Sequence, residues 1–147
     1  MKAFFDTSVL VAAVRVADLR HEISHKLLMQ FAPQEASCAA HTLAELYASL
    51  TGMRPPNRLQ PEQATLIVEQ FRSNLDCIAL TTEEVFQAIQ RTAALKLPGG
   101  IIYDALLLAC ARKVQAERIY TWNARHFQMA APDLAARIVT PSTIDCE

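Results

Sequence analysis

The chain has 147 residues, of which 52% are hydrophobic and 20% charged, a composition that excludes intrinsic disorder and favours one folded domain with an apolar core. Its 14 basic and 15 acidic residues give a net charge of −1, which argues against a protein that coats nucleic acid through overall positive charge. Four widely spaced cysteines, Cys38, Cys77, Cys110 and Cys146, predict reduced thiols rather than a disulfide framework or a thiolate zinc site. No apolar run approaches the roughly 18 residues of a membrane helix, so we expect no membrane contact and a cytoplasmic location.

Short apolar segments alternate with helical patterns along the whole chain. Strands are predicted at residues 2–5, 36–40, 77–80, 118–121 and 137–140, and helices at about 8–15, 20–31, 42–50, 61–73, 81–96, 102–115 and 124–129. Strands separated by helices are typical of a parallel sheet that is covered on both faces. We therefore predict a three-layer α/β/α sandwich with a central, mostly parallel sheet of four to five strands, as a single domain spanning residues 1–147.

Polar side chains follow the predicted strands, where an open parallel sheet collects its ligands. Asp6 comes directly after the first strand, Glu45 lies in the first turn of the helix after the second, and Asn123 follows the fourth. Asp104 lies in the first turn of a very apolar helix that follows a Gly-Gly pair. This arrangement predicts three carboxylates and one amide at a common edge of the sheet.

Each acid also has a purely structural interpretation. Asp6 can cap the helix that follows it, and Thr42-Leu-Ala-Glu45 has the spacing of a capping box. Asp104 can complement the dipole of its helix. Because that helix has the composition of a buried one, we expect its carboxylate to have a strong partner.

Clustered carboxylates repel one another unless a cation neutralises them. Three oxygen ligands, with no cysteine and no obligatory histidine, suit Mg²⁺ or Mn²⁺ that retains several waters. Such an ion activates water and orients a phosphodiester. Asp6, Glu45 and Asp104 therefore predict metal-assisted phosphodiester hydrolysis.

Four motifs follow one another along the chain: Phe5-Asp6-Thr7-Ser8, then Glu45 on a helix, then Tyr103-Asp104-Ala105, then Thr121-Trp-Asn123-Ala-Arg-His-Phe127. This ordered set, which spans almost the whole chain, resembles the PIN-domain nucleases, and more narrowly the VapC-type ribonuclease toxins of bacterial type II toxin–antitoxin pairs. The resemblance implies a PIN-like fold and an endoribonuclease that depends on Mg²⁺ or Mn²⁺. It also implies an RNA substrate, a small antitoxin as partner, and a homodimer.

The resemblance also implies roles for individual residues. Asp6, Glu45 and Asp104 match the metal-binding acids of the family, and Thr7 or Ser8 would form hydrogen bonds near the metal. Thr121 and Asn123 match the fourth motif, in which many relatives have Asp where this chain has Asn123. Three negative charges rather than four favour one metal ion, assisted by the amide. The structural alternative for Thr121 and Asn123 is turn formation after a strand.

Two surfaces are candidates for contact with RNA and a partner. Arg54 and Arg58 on a rigid Pro-Pro loop, together with Arg125, are candidate phosphate contacts, although solvated surface arginines are the alternative. The two amphipathic helices within residues 42–73 are a candidate helix-binding surface for a partner.

One competing motif points to different chemistry. His21-Glu22-Ile23-Ser24-His25 has the H-E-x-x-H pattern of zinc peptidases, with Glu45 as a candidate third ligand. We expect the apolar face of this helix to run through Ile23, Leu27 and Phe31, which leaves both histidines on the opposite, solvated side. A further alternative is a non-catalytic α/β module that binds a partner and whose acids only cap helices.

Overall fold

The structure, a computed structural model, describes residues 1–142. Five short strands form one sheet: β1 (Ala3–Phe5), β2 (Ala36–Ala39), β3 (Asp76–Ile78), β4 (Arg118–Tyr120) and β5 (Ile138–Val139). Their order across the sheet is β3-β2-β1-β4-β5, and each neighbouring pair is parallel. The predicted parallel sheet of four to five strands is therefore confirmed.

Helices connect the strands and cover the sheet. They are α1 (Thr7–Val14), α2 (His21–Leu28), α3 (Thr42–Thr51), α4 (Pro61–Asn74), α5 (Thr82–Ala94), α6 (Ile101–Lys113) and α7 (Ala124–Ala130), with short 3-10 helices at Pro33–Glu35 and Pro132–Arg137. Within residues 1–142, none of the helices combines the length and the apolar character needed to span a membrane.

The helix predicted over residues 20–31 is too long. It ends at Leu28, and Ala32 is already extended, with ψ of 155°, because the following Pro33 disfavours a helical residue before it. Cys38, Cys77 and Cys110 are free thiols, as expected, whereas Cys146 lies outside the described residues.

The core lies on both faces of the sheet because successive side chains of a strand point to opposite faces. On β1, Phe4 packs in a cluster with Leu108 of α6 and Phe127 of α7. Its neighbour Phe5 packs in a second cluster with residues of α1 to α4, including Leu10 and Leu46. Phe4 and Phe5 are both fully buried, so the three layers meet at the central strand.

The strand order determines which loops meet at the site. β1 lies between β2 and β4, and parallel strands end at the same edge of the sheet. The backbone N–H of Asp6 donates to Tyr120 O at 2.9 Å, which joins the carboxyl ends of β1 and β4. The starts of α1 and α3 and the β4–α7 connection therefore come together around Asp6.

Candidate active site

Asp6 is a buried carboxylate, 4% exposed, at the carboxyl end of β1. It occupies the N-cap position of α1, but its side chain does not cap that helix. Its Oδ2 instead accepts hydrogen bonds from Ser8 Oγ and from Thr121 Oγ1, each at 2.7 Å. Ser8 Oγ accepts in turn from Trp122 N, and Thr121 Oγ1 from Asn123 N, both at 3.0 Å. The structure thus excludes the side-chain cap for Asp6. Its carboxylate is held instead by the hydroxyl groups of Ser8 and Thr121, called the clamp below.

Thr121 both forms the turn after β4 and contacts the candidate site, the two roles that the sequence left open. It is fully buried, and its hydroxyl accepts from the backbone two residues later, as in a turn, while donating to Asp6. Asn123 is exposed at the start of α7, and its side chain forms no capping hydrogen bond there. The turn therefore orients Asp6 and leaves the amide of Asn123 facing solvent.

Glu45 contacts both α1 and the N-cap residue of its own helix. Thr7 Oγ1 donates to Glu45 Oε2 at 3.2 Å and also lies 3.3 Å from Thr42 Oγ1. Glu45 Oε1 lies 3.7 Å from His41 Nε2. The capping box predicted for Thr42 and Glu45 is wrong, because His41 is the N-cap and the buried Thr42 is already the first helical residue.

Asp104 is half-buried in the first turn of α6. Burial raises its pKa most, the negative charge of Asp6 raises it further, and Glu45 adds to this, while His126 acts in the opposite direction. Within residues 1–142 its carboxylate has no hydrogen bond or ion pair, so the strong partner expected from the sequence is not found there. The negative charges of Asp6 and Glu45 therefore both act on Asp104, and these three carboxylates are called the acidic cluster below.

The donor chemistry of the acidic cluster suits a cation that prefers oxygen ligands. In the described part of the chain, no three His, Cys, Asp or Glu side chains converge into a ready-made metal cage. Mg²⁺ does not require such a cage, because proteins usually hold it through one or two carboxylates and several waters. The half-buried Asp104, with a raised pKa and two acidic neighbours, is the kind of group that a divalent cation stabilises. The residues present therefore fit a hydrated divalent ion.

The H-E-x-x-H motif forms structural contacts. His21 Nδ1 lies 3.0 Å from Ala12 O, and its ring stacks on that of His25 with centroids 5.7 Å apart. Glu22 forms an ion pair with Lys26, with Oε1 and Nζ 2.8 Å apart. The motif belongs to no three-residue metal site within residues 1–142, and nothing in its geometry favours a zinc peptidase.

Both histidines line an apolar groove; His25 is exposed, as expected, whereas His21 is half-buried. The groove lies between α1, α2 and α4 and has a volume of about 580 Å³; its lining includes Val14, His21, His25, Leu28, Met29, Phe31, Ile67 and Phe71. The partner surface predicted within residues 42–73 is also revised. Leu46, Leu50 and Phe71 are buried in the protein's own core, whereas Leu66 is 73% exposed. Those helices therefore present much less apolar surface than the sequence suggests.

The predicted phosphate contacts all lie on the surface. Arg54, Arg58 and Arg125 are exposed, and Arg58 Nε donates to Met53 O at 2.9 Å within its loop. Arg54 lines a second groove together with Arg15, which the sequence reasoning missed. Arg15 lies eight residues after Thr7 and directly follows α1, and this spacing is the signal that could have identified it.

Comparisons with known proteins agree with this fold. Residues 3–132 match the PIN domain. Ribonuclease VapC27 of Mycobacterium tuberculosis is 33% identical over 113 residues, which cover 76% of this chain and 78% of that protein. The fold is similar to the crystal structure of M. tuberculosis VapC20, a sarcin-ricin loop cleaving toxin, with a TM-score of 0.68 and 20% identity over 85% of this chain and 92% of that chain. It is also similar to the crystal structure of VapBC2 from Rickettsia felis bound to a DNA fragment from its promoter, with a TM-score of 0.68 and 19% identity over 97% of this chain and 100% of that chain. The chain belongs to the PIN domain family, as the order of its motifs predicts.

Proposed function

We propose that this protein is a VapC-like endoribonuclease, the toxin of a type II toxin–antitoxin pair, and that it hydrolyses RNA phosphodiester bonds with the help of Mg²⁺ or Mn²⁺. The observation that carries the proposal is the acidic cluster, in which a buried Asp6, held by Ser8 and Thr121, lies close enough to Asp104 to raise its pKa. Similarity to ribonuclease VapC27 supports RNA as the substrate class, and similarity to VapBC2 supports an antitoxin as partner.

In this proposal Asp6, Glu45 and Asp104 hold the metal ion. When bound, the ion supplies an activated water and offsets charge on the leaving oxygen. Because Ser8 and Thr121 both donate to Oδ2 of Asp6, we expect Oδ1 to be the oxygen that faces the ion. The matching hydrogen bond from Thr7 fixes one oxygen of Glu45.

The remaining site residues would act on the substrate. Asn123, with its exposed amide beside the clamp, is proposed to hydrogen-bond a substrate oxygen and thereby position it. Arg54, Arg58 and Arg125 are proposed to contact phosphates, which their exposure on the surface supports. The net charge of −1 does not attract RNA, so these arginines would supply the positive charge that RNA phosphates need locally.

The antitoxin is proposed to lay an apolar helix into the groove between α1, α2 and α4. Met29 on its lining is 70% exposed, so it is available to a partner without belonging to the core. Met29→Glu should prevent neutralisation of the toxin by its antitoxin during co-expression and leave RNA cleavage by the purified protein unchanged. We further propose that residues 1–147 form a single domain, that the protein is a homodimer, and that it is located in the cytoplasm.

The direct test is cleavage of labelled total RNA by the purified protein with Mg²⁺, Mn²⁺, Zn²⁺ or a chelator. We expect discrete cuts with Mg²⁺ or Mn²⁺ that disappear in the chelator and in Asp6→Asn and Asp104→Asn. The matched control is Asp76→Asn, which removes the same charge from an exposed residue at the opposite edge of the sheet. Absence of cleavage by folded wild-type protein across a panel of total RNAs would contradict the proposal.

A further inference from the structure

A groove of about 510 Å³ lies between α1 and α3, with Val11, Arg15 and Ser49 among the residues that line it. The helices that form it touch where Thr7 donates to Glu45, at the acidic cluster. Thr7 and Val11 lie four residues apart on one face of α1, and Arg15, four residues further on, is the C-cap residue directly after the helix. Glu45 and Ser49 have the same spacing on α3. The groove therefore continues the line of the acidic cluster along both helices.

The far end of this groove carries two arginines, Arg15 and Arg54, and its lining contains no carboxylate. Neither guanidinium takes part in an ion pair within residues 1–142, whereas Arg72 and Arg112 are paired with neighbouring acids. Asn57 adds a neutral polar side chain to the same wall. A concave site with two uncompensated cations and no acid attracts anions.

The distance between the two ends of the groove determines the kind of anion. Arg15 follows Thr7 by eight residues, so at 1.5 Å per residue its backbone lies about 12 Å along α1 from that of Thr7, which donates to Glu45 of the acidic cluster. This separation favours a strand with several phosphates over one small anion, because one phosphate can lie at the arginines while another lies at the cluster.

We propose that this groove, called the arginine groove, binds the backbone of the RNA strand to one side of the bond that is cleaved, with Arg15 and Arg54 contacting its phosphates. The inference rests on the proposed function and deepens it by naming Arg15 and the path of the strand. Arg15 and Arg54 bind substrate in this account and take no part in the chemical step.

The test measures binding of a fluorescein-labelled, single-stranded 12-nucleotide RNA of mixed sequence, in chelator so that binding is recorded without cleavage. Each phosphate contact on a single strand contributes about 0.7 to the slope of log affinity against log salt. R15Q/R54Q should therefore reduce the magnitude of this slope by about 1.4 and weaken the affinity at 0.1 M KCl by roughly 25-fold. The single variants R15Q and R54Q should each lower the slope by about 0.7.

The matched control is R118Q/R137Q, which removes two exposed arginines at the amino ends of β4 and β5, the opposite edge of the sheet. It should bind the probe as the wild type does. An unchanged slope and affinity in R15Q/R54Q would overturn the inference, as would equal losses in the control or no binding by the wild type at 20 mM KCl. A loss of antitoxin binding without a loss of RNA binding would also overturn it, in favour of a protein in the groove.

This experiment separates the inference from the function on which it rests. Binding in chelator requires no catalysis, so failure of the arginine groove leaves metal-dependent cleavage by the wild type intact. If the wild type does not cleave RNA but R15Q/R54Q loses RNA binding as expected, the groove is an RNA-binding site and the proposed nuclease activity is excluded.

Discussion

The hydroxyl of Thr121 is the contact whose removal tests the clamp on Asp6 most cleanly. Thr121→Val replaces that hydroxyl with a methyl group of nearly the same volume at a position with no solvent exposure. The carboxylate of Asp6 then keeps only its hydrogen bond from Ser8, and the backbone N–H of Asn123 loses its acceptor. We expect both stability and RNA cleavage to fall.

The expected loss of stability follows from the two hydrogen bonds. A bond to a charged group contributes about 1.5–3 kcal/mol, and the bond from the backbone N–H about 1 kcal/mol. Burying a methyl group in place of the hydroxyl recovers about 1 kcal/mol. The net loss is about 1.5–3 kcal/mol, which for a chain of this size lowers the unfolding temperature by roughly 3–12 °C.

Thermal unfolding and RNA cleavage should be measured together on Thr121→Val, Thr121→Ser and Thr92→Val. Thr121→Ser keeps the hydroxyl and should retain cleavage while losing about 1 kcal/mol of buried methyl contact. Thr92 is also buried, but its hydroxyl donates to the neutral Ala88 O within α5, so its valine variant should cleave normally. Equal stability and cleavage in Thr121→Val and wild type would refute the clamp.

Asp104→Asn should raise the unfolding temperature of the metal-free protein at pH 7, because burial and acidic neighbours raise the pKa of Asp104 and so disfavour its charge in the folded state. Wild-type stability then falls as pH rises through the raised pKa, and the gain from Asn should vanish in scans below pH 3.8, the ordinary value. Iodoacetamide should modify Cys77 with a midpoint near pH 7, because a hydrogen bond from Cys38 lowers the pKa of Cys77 to about 7. Burial raises the pKa of Cys110 to about 11, so Cys110 should react later. Peptide mass spectrometry showing that Cys110 reacts first would contradict this. Thr81→Ala should cost about 1 kcal/mol in urea unfolding, because Thr81 caps α5, and should leave cleavage unchanged.

The sequence predicted the elements well because their signals are local. Each strand was located to within about two residues, since short apolar segments between turn and helix signals mark buried parallel strands. The order β3-β2-β1-β4-β5 depends on which strands pair, and pairing is a tertiary property that no local pattern reports. The end of α2 at Leu28 was missed because the apolar spacing continues to Phe31 beyond the helix.

The site was predicted in part. Asp6 is close enough to Asp104 to raise its pKa, as the position of Asp6 after a strand and of Asp104 in the first turn of a buried helix suggested. The hydrogen bond from Thr121 to Asp6 spans 115 positions, so only the fold reveals it. The spacing Thr42-x-x-Glu45 cannot tell an N-cap from a first helical residue, which is why the capping box was wrong.

Binding of Mn²⁺ to the purified protein, followed by titration calorimetry, tests the acidic cluster as a cation site most directly. We expect binding by the wild type and by Asp76→Asn, with strong losses in Asp6→Asn and Asp104→Asn. Asp6→Asn and Asp104→Asn variants that bind Mn²⁺ as tightly as the wild type would contradict it, because the metal would then lie somewhere other than the cluster.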